Sequence, residues 1–194
     1  MAKESEVTRK TKETEIRVNW KIDGDGTYRI STGIPFFGHM LELFARHGFF
    51  DLTVEASGDV EVDCHHTIED TGIAMGEALR DALPGFKGIR RYGHSLLPMD
   101  EALAMVAVDM SGRPSLVWSG DVKGKVGSFD GEVAKEFFQG FVNGARITLH
   151  VNLLYGENLH HKIEAVFKGF GRALREAAAD DEKVQGVLST KGIL

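Results

Sequence analysis

The sequence predicts an α+β protein built by internal duplication, in which two similar halves each set a small sheet against helices on one face. Three observations carry that prediction. Residues 65–83, HHTIEDTGIAMGEALRDAL, align without a gap on residues 160–178, HHKIEAVFKGFGRALREAA, and nine of the nineteen pairs are identical. Both windows carry apolar residues at helical spacing: Ile68, Gly72, Met75, Leu79 and Leu83 in one, Ile163, Phe167, Phe170, Leu174 and Ala177 in the other. The segments just ahead, FFDLTVEA (49–56) and RITLHVNLLY (146–155), alternate in the way of half-buried strands.

The elements follow in chain order. The opening stretch, MAKESEVTRKTKETE, is charged and lacks the apolar core of a signal peptide. EIRVNWKIDGDGTYRIS (15–31) reads as a hairpin turning at Asp23-Gly24-Asp25-Gly26. IPFFGHMLELFARHG (34–48) is a helix candidate, and the strand at 49–56 leads into the first repeated helix, capped by Asp63 and closed by Pro84-Gly85. GFKGIRRYG (85–93) marks the boundary, so residues 1–87 form the first half and 88–180 the second. SLLPMDEALAMVAVDMSGRPSLVW (95–118) reads as a turn and a buried strand opening the second half. GEVAKEFFQGFVNGA (131–145) is its first helix, and Asn158 caps its second. Residues 181–194 form a tail whose LSTKGIL offers hydroxyls, a lysine and a glycine to an anion.

Composition narrows the function. The chain is 42% hydrophobic and 27% charged with a formal net charge of −6, a globular balance that argues against nucleic acid as a partner. No apolar run approaches the roughly 20 residues that span a bilayer. Cys64 is the single cysteine, which rules out an internal disulfide and fits an inert thiol in a reducing cytoplasm.

The repeated histidines carry the chemistry. A histidine and a glutamate four apart project from one helix face, so His65 with Glu69 and His160 with Glu164 can each hold a metal ion. His66 and His161 are rotated about 100° away and point to a different ion. Bringing the repeats together gives two sets: His65, Glu69 and His161 around one metal, His160, Glu164 and His66 around the other. Whether the repeats meet within one chain or between subunits is left open by this geometry. Imidazole and carboxylate ligands suit manganese, iron, cobalt or zinc, and with no cysteine in the set a thiolate structural zinc site is disfavoured. Arg113 at the strand end in SGRP and the Arg90-Arg91 pair are candidate anion contacts.

Taken together, STGIPFFGHML (31–41), HGFFDLTVEASGD (47–59), HHTIED (65–70), PMDEAL (98–103), SGRP (111–114), ITLHV (147–151), HHKIEAVFKGFGRALR (160–175) and STKG (189–192) resemble the imidazoleglycerol-phosphate dehydratase family. The resemblance implies two halves that each have a four-stranded mixed sheet backed by two helices. It implies a manganese-dependent carbon–oxygen lyase of histidine biosynthesis, with two Mn2+ ions per active site. It further implies a cytoplasmic homo-oligomer, a 24-mer, with active sites between subunits. By position, His39 joins His66, His160 and Glu164 at one metal, and His65, Glu69 and His161 form most of the other. Glu13 matches an acid/base carboxylate, and Glu69 and Glu164 take part in the chemistry as well as in metal binding. Arg91, Arg113, Ser189, Thr190 and Lys191 match phosphate-binding positions, which gives the tail its role. Glu13, His39, His47 and His65 fall in substrate-contacting positions.

Three positions depart from the family pattern. Glu136 stands where the mirror of His39 is commonly histidine, and is taken as a ligand of the second metal. Gly38 replaces a common aspartate, and Leu43 a frequent glutamine. The implied reaction removes a proton from the carbon attached to an imidazole ring, and a metal on each ring nitrogen would let the ring take up the electron pair. A binuclear hydrolase and a metal-storage protein are the alternatives; the first needs metals about 3.5–4 Å apart, and the second has no use for the arginines and lysine.

Overall fold

A computed structural model describes residues 3–194; Met1 and Ala2, the first residues of the expected first half, lie outside it. The first half contains β1 (Glu4–Lys10), β2 (Thr14–Lys21), β3 (Tyr28–Ser31), α1 (Pro35–Gly48), β4 (Asp51–Gly58) and α2 (His65–Ala82). The second contains β5 (Tyr92–Met99), β6 (Ala102–Asp109), β7 (Ser115–Ser119), the short pair β8 (Lys125–Val126) and β9 (Phe129–Asp130), α3 (Val133–Ala145), β10 (Thr148–Tyr155) and α4 (Leu159–Ala178). The sheets have the orders β1-β2-β4-β3 and β5-β6-β10-β7. In both, the first three strands are antiparallel and the last lies parallel to its neighbour. The duplication read from the helices thus extends to every strand of the sheets, and each sheet is mixed and four-stranded as expected.

Two readings are corrected. Residues 15–31 are not a hairpin: β4 lies between β2 and β3, antiparallel to one and parallel to the other. The Asp-Gly run wraps around a carboxylate instead of turning on itself. Asp51 Oδ1 accepts from the Asp25 and Thr27 amides at 2.9 and 3.1 Å and from the Thr27 hydroxyl at 2.7 Å. These contacts hold the Asp51 carboxyl down at about 2. Gly24 is required there, since a β-carbon would stand 2.4 Å from the Asp51 amide nitrogen. The charged opening stretch is itself a strand, paired with β2 from Glu4–Lys21 to Lys10–Glu15. Its charge suits a sheet edge, where polar side chains discourage pairing with other chains. Likewise 95–118 holds the end of β5, all of β6 and most of β7, and not one strand.

The helices form the middle of the molecule, between the sheets, and pair across the halves: α1 packs on α4 and α2 on α3. Glycine permits the approach. A β-carbon on Gly72 would stand 2.2 Å from the Phe137 carbonyl oxygen, and one on Gly140 2.5 Å from that of Glu69. Buried aromatics fill the rest: Trp20, Phe44, Phe137, Phe141, Phe167 and Phe170 are fully enclosed. Phe44 stacks on Phe170 and Phe137 on Phe167, with centroids 5.2 and 5.3 Å apart. One core therefore serves both halves, and it fixes the start of each repeated helix beside a helix of the other half.

Candidate active site

The first site grows from the start of α4. Asn158 Oδ1 accepts from the His160 and His161 amides at 2.9 and 3.4 Å, capping the helix as expected. His160 and Glu164 then share a face, with Nε2 and Oε2 3.0 Å apart. Packing of α1 on α4 adds His39, and the ligand atoms of His39, His160 and Glu164 all lie within 4.8 Å of one another. Burial pushes the Glu164 carboxyl up, but Lys168, ion-paired to it, and His160 outweigh that and hold it below the usual range. An anion beside two imidazoles is a donor set that fits a divalent cation.

The second site is the pseudo-equivalent one. His65 Nε2 lies 3.7 Å from Glu69 Oε2, and Asp63 Oδ1 accepts from the His65 amide at 2.8 Å, although the cap position itself is Cys64. Glu136 on α3 lines a cavity of about 610 Å³ together with His65. This set is looser: among the described residues, His39, His160 and Glu164 are the one trio gathered at ligand distance.

The second histidine of each pair is held elsewhere. His66 Nδ1 lies 3.0 Å from Asp59 Oδ2 and 3.8 Å from Glu13 Oε2. His161 Nδ1 lies 2.7 Å from Glu101 Oε2. Hydrogen bonds to Asp59 and Glu101 raise the basicity of the two rings, and Glu101 is itself held down at about 2. Neither His66 nor His161 joins the other repeat's pair within this chain. Of the ligand sets expected from sequence, the chain assembles His39 with His160 and Glu164, and His65 with Glu69.

Glu13 sits exposed in the β1–β2 turn, which is pinned to α2 by Asp70. Asp70 Oδ1 accepts from Arg9 Nε and Nη2 at 3.0 and 2.9 Å, and Oδ2 accepts from the Thr14 hydroxyl. Sequence reading missed Asp70, Lys168, Asp59 and Glu101. Lys168 carried a signal, standing one helical turn beyond Glu164. Asp70 lies on α2 itself, but its partners Arg9 and Thr14 come from the first two strands. Asp59 and Glu101 are brought to the histidines by the loop after β4 and the turn before β6.

The anion candidates form a separate group. Arg91, Arg113, Ser189, Thr190 and Lys191 line one cavity of about 810 Å³, which includes none of the metal candidates. Arg91 has a left-handed backbone, φ 71°. Its Nε and Nη2 grip Asp109 at 2.7 and 3.1 Å, and Nη1 donates to the Leu188 carbonyl. The tail is thus docked by an arginine, with Lys191 N donating to Ser189 Oγ at 3.2 Å. His47, in the last turn of α1, lies apart among Arg90, Arg172 and Arg175, and burial together with Lys168 and Arg172 lowers its basicity.

Fold and site define a class: duplicated α+β proteins with paired imidazole–carboxylate centres at the junction of their halves. The model of the imidazoleglycerol-phosphate dehydratase family matches residues 32–174. Relatives of that name from Trichlorobacter lovleyi and Acetivibrio thermocellus are 58% and 55% identical over the whole of both chains. The crystal structure of the Pyrococcus furiosus enzyme is 40% identical with a TM-score of 0.85, covering 97% of this chain and all of the other. That of the Staphylococcus aureus enzyme is 40% identical with a TM-score of 0.83, covering 92% and 99%. The chain belongs to the imidazoleglycerol-phosphate dehydratase family.

Proposed function

We propose that this dehydratase converts imidazoleglycerol phosphate to imidazoleacetol phosphate and water, a step of L-histidine biosynthesis, in active sites that hold two manganese ions and are completed between copies of the chain. The observation that carries the reading is the division of labour in each histidine pair. His160 and His65 face their own glutamates, while His161 and His66 are turned to other carboxylates. His39, His160 and Glu164 would hold one ion with His66 of another copy. His65, Glu69 and Glu136 would hold the second with His161 of another copy. Nitrogen and carboxylate donors without thiolate admit manganese as well as iron, cobalt or zinc, and the family resemblance selects manganese among them.

Held by these residues, divalent cations would supply Lewis acidity that draws electron density from the bound substrate and acidifies the carbon to be deprotonated. The chain's own residues do the rest. Glu13, exposed beside His66, takes the proton from that carbon as general base and returns it to the departing hydroxyl, which leaves as water as the C–O bond breaks. Arg91, Arg113, Ser189, Thr190 and Lys191 hold the phosphate and thereby position the reacting carbon, while His47 contributes a further substrate contact. The expected assembly is large, 24 copies. No helix among the described residues is long and apolar enough to cross a membrane, and the free thiol of Cys64 fits the reducing cytoplasm. Dehydration of imidazoleglycerol phosphate by chelator-stripped protein, measured before and after adding Mn2+, tests the reading. Full turnover without metal, or none with it, would refute it.

A further inference from the structure

The halves are related by their turns as well as by their helices. Glu13 immediately precedes β2 and Glu101 immediately precedes β6, so the two carboxylates are pseudo-equivalent. Symmetry alone would offer either as the base. Their surroundings differ. Glu101 Oε2 meets His161 Nδ1 at 2.7 Å, and Oε1 accepts from the Asn158 and Glu157 amides at 2.8 and 3.2 Å. Glu13 stops 3.8 Å from His66 Nδ1, and its side chain is 58% exposed.

The difference has a local cause. In the first half, Asp59 takes the histidine: Oδ2 lies 3.0 Å from His66 Nδ1, while Oδ1 is buried with no other partner among the described residues. The Asp59 amide also donates to the Glu13 carbonyl at 3.2 Å, tying loop to turn. Asp59 is the first residue after β4. The first residue after β10 is Gly156, which has no side chain to offer. The second half therefore uses the turn glutamate for the task that Asp59 performs in the first.

A carboxylate can only accept, so each contact places the proton on Nδ1 and leaves the Nε2 lone pair free. Among the described residues His161 Nε2 has no hydrogen-bond partner, the exposed Asp100 standing 3.7 Å away, beyond reach. We propose that Glu101 and Asp59 are positioning residues that fix the ring and tautomer of His161 and His66 for metal binding through Nε2, and that Glu101 thereby gives up the proton-transfer role kept by Glu13. The assignment rests on the metal-dependent function proposed above.

The test uses full-length protein stripped of metal and titrated with Mn2+, with free ion read by electron paramagnetic resonance. Glu101→Gln keeps an oxygen for the two backbone amides but cannot hold Nδ1–H as a carboxylate does. It is expected to weaken Mn2+ binding about 10- to 100-fold, and Asp59→Asn likewise, with the unfolding midpoint of the metal-free protein unchanged. Glu13→Gln is expected to lose turnover at wild-type Mn2+ affinity. Wild-type affinity in Glu101→Gln overturns the assignment, as does a loss matched by collapse of the metal-free fold. Equal weakening in Glu13→Gln erases the distinction between the two carboxylates. If the wild type itself binds no Mn2+, the proposed function falls; if it binds and turns over while Glu101→Gln is unaltered, only this assignment does.

Discussion

Gly72 on α2 lies against Phe137 on α3 so closely that a β-carbon at position 72 would stand 2.2 Å from the Phe137 carbonyl oxygen. The obstacle is backbone, which cannot swing aside like the end of a side chain. Gly72→Ala should force the helices apart at a cost of about 1–3 kcal/mol, the usual range for overpacking, lowering the melting temperature by about 2–4 °C per kcal/mol in a chain of this size. Because α2 carries His65 and Glu69 while α3 carries Glu136, Mn2+ affinity at that site should fall with it. An alanine variant with an unchanged melting curve would contradict the close crossing.

The turn carrying Glu13 hangs on Asp70, which is buried and bonded to Arg9 and Thr14. Asp70→Asn keeps the shape but loses the charge. Hydrogen bonds to charged groups contribute about 1.5–3 kcal/mol, so a drop of that order is expected in denaturant unfolding. A displaced Glu13 should also lower kcat more than it raises KM, while Mn2+ binding persists. Undiminished kcat in a destabilised variant would separate Asp70 from the chemistry.

The helical repeat and its HHxxE pattern were legible because helix periodicity and i,i+4 spacing are local properties. The four helices and the strands at 51–58 and 148–155 accordingly lie within a few residues of their expected places. What was not legible depended on distant partners. The charged β1 is a strand only because β2 pairs with it, and the Asp-Gly loop is not a hairpin only because Asp51 arrives from β4. Asp59, Asp70 and Glu101 reach their partners across 7, 56 and 60 positions, and nothing in their immediate sequence announces it. Glu136 was placed by resemblance, and the structure sets it beside the same cavity as His65 without drawing it into a tight trio.

That looseness makes Glu136 informative. Glu136→Ala should leave the His39, His160 and Glu164 centre intact and weaken one of the two ions by about tenfold or more, the scale on which even outer partners of a metal act. Glu136→His, which restores a neutral ligand, should retain both ions. Two equally tight ions in Glu136→Ala, counted by Mn2+ titration, would remove Glu136 from the ligand set.

Lys168 and Glu164 form an ion pair at the edge of the core, with only 15% and 8% of their side chains exposed. Removing Lys168 leaves the buried Glu164 with His160 as its remaining partner, and breaking a buried pair by removing one member costs up to about 3–5 kcal/mol. Lys168→Met should therefore destabilise the metal-free protein at pH 7 on that scale, and combining it with Glu164→Gln should recover much of the loss. The pH dependence has a definite sign. Glu164 is held below its ordinary value of 4.5 in the folded chain, so its contribution is present above that value and lost as pH falls through the depressed one. Without Lys168, His160 alone opposes the effect of burial, so the carboxyl should sit higher than in the wild type and acid destabilisation of the variant should begin at higher pH. Coincident acid-unfolding curves for the two would show that Lys168 does not hold Glu164 ionised.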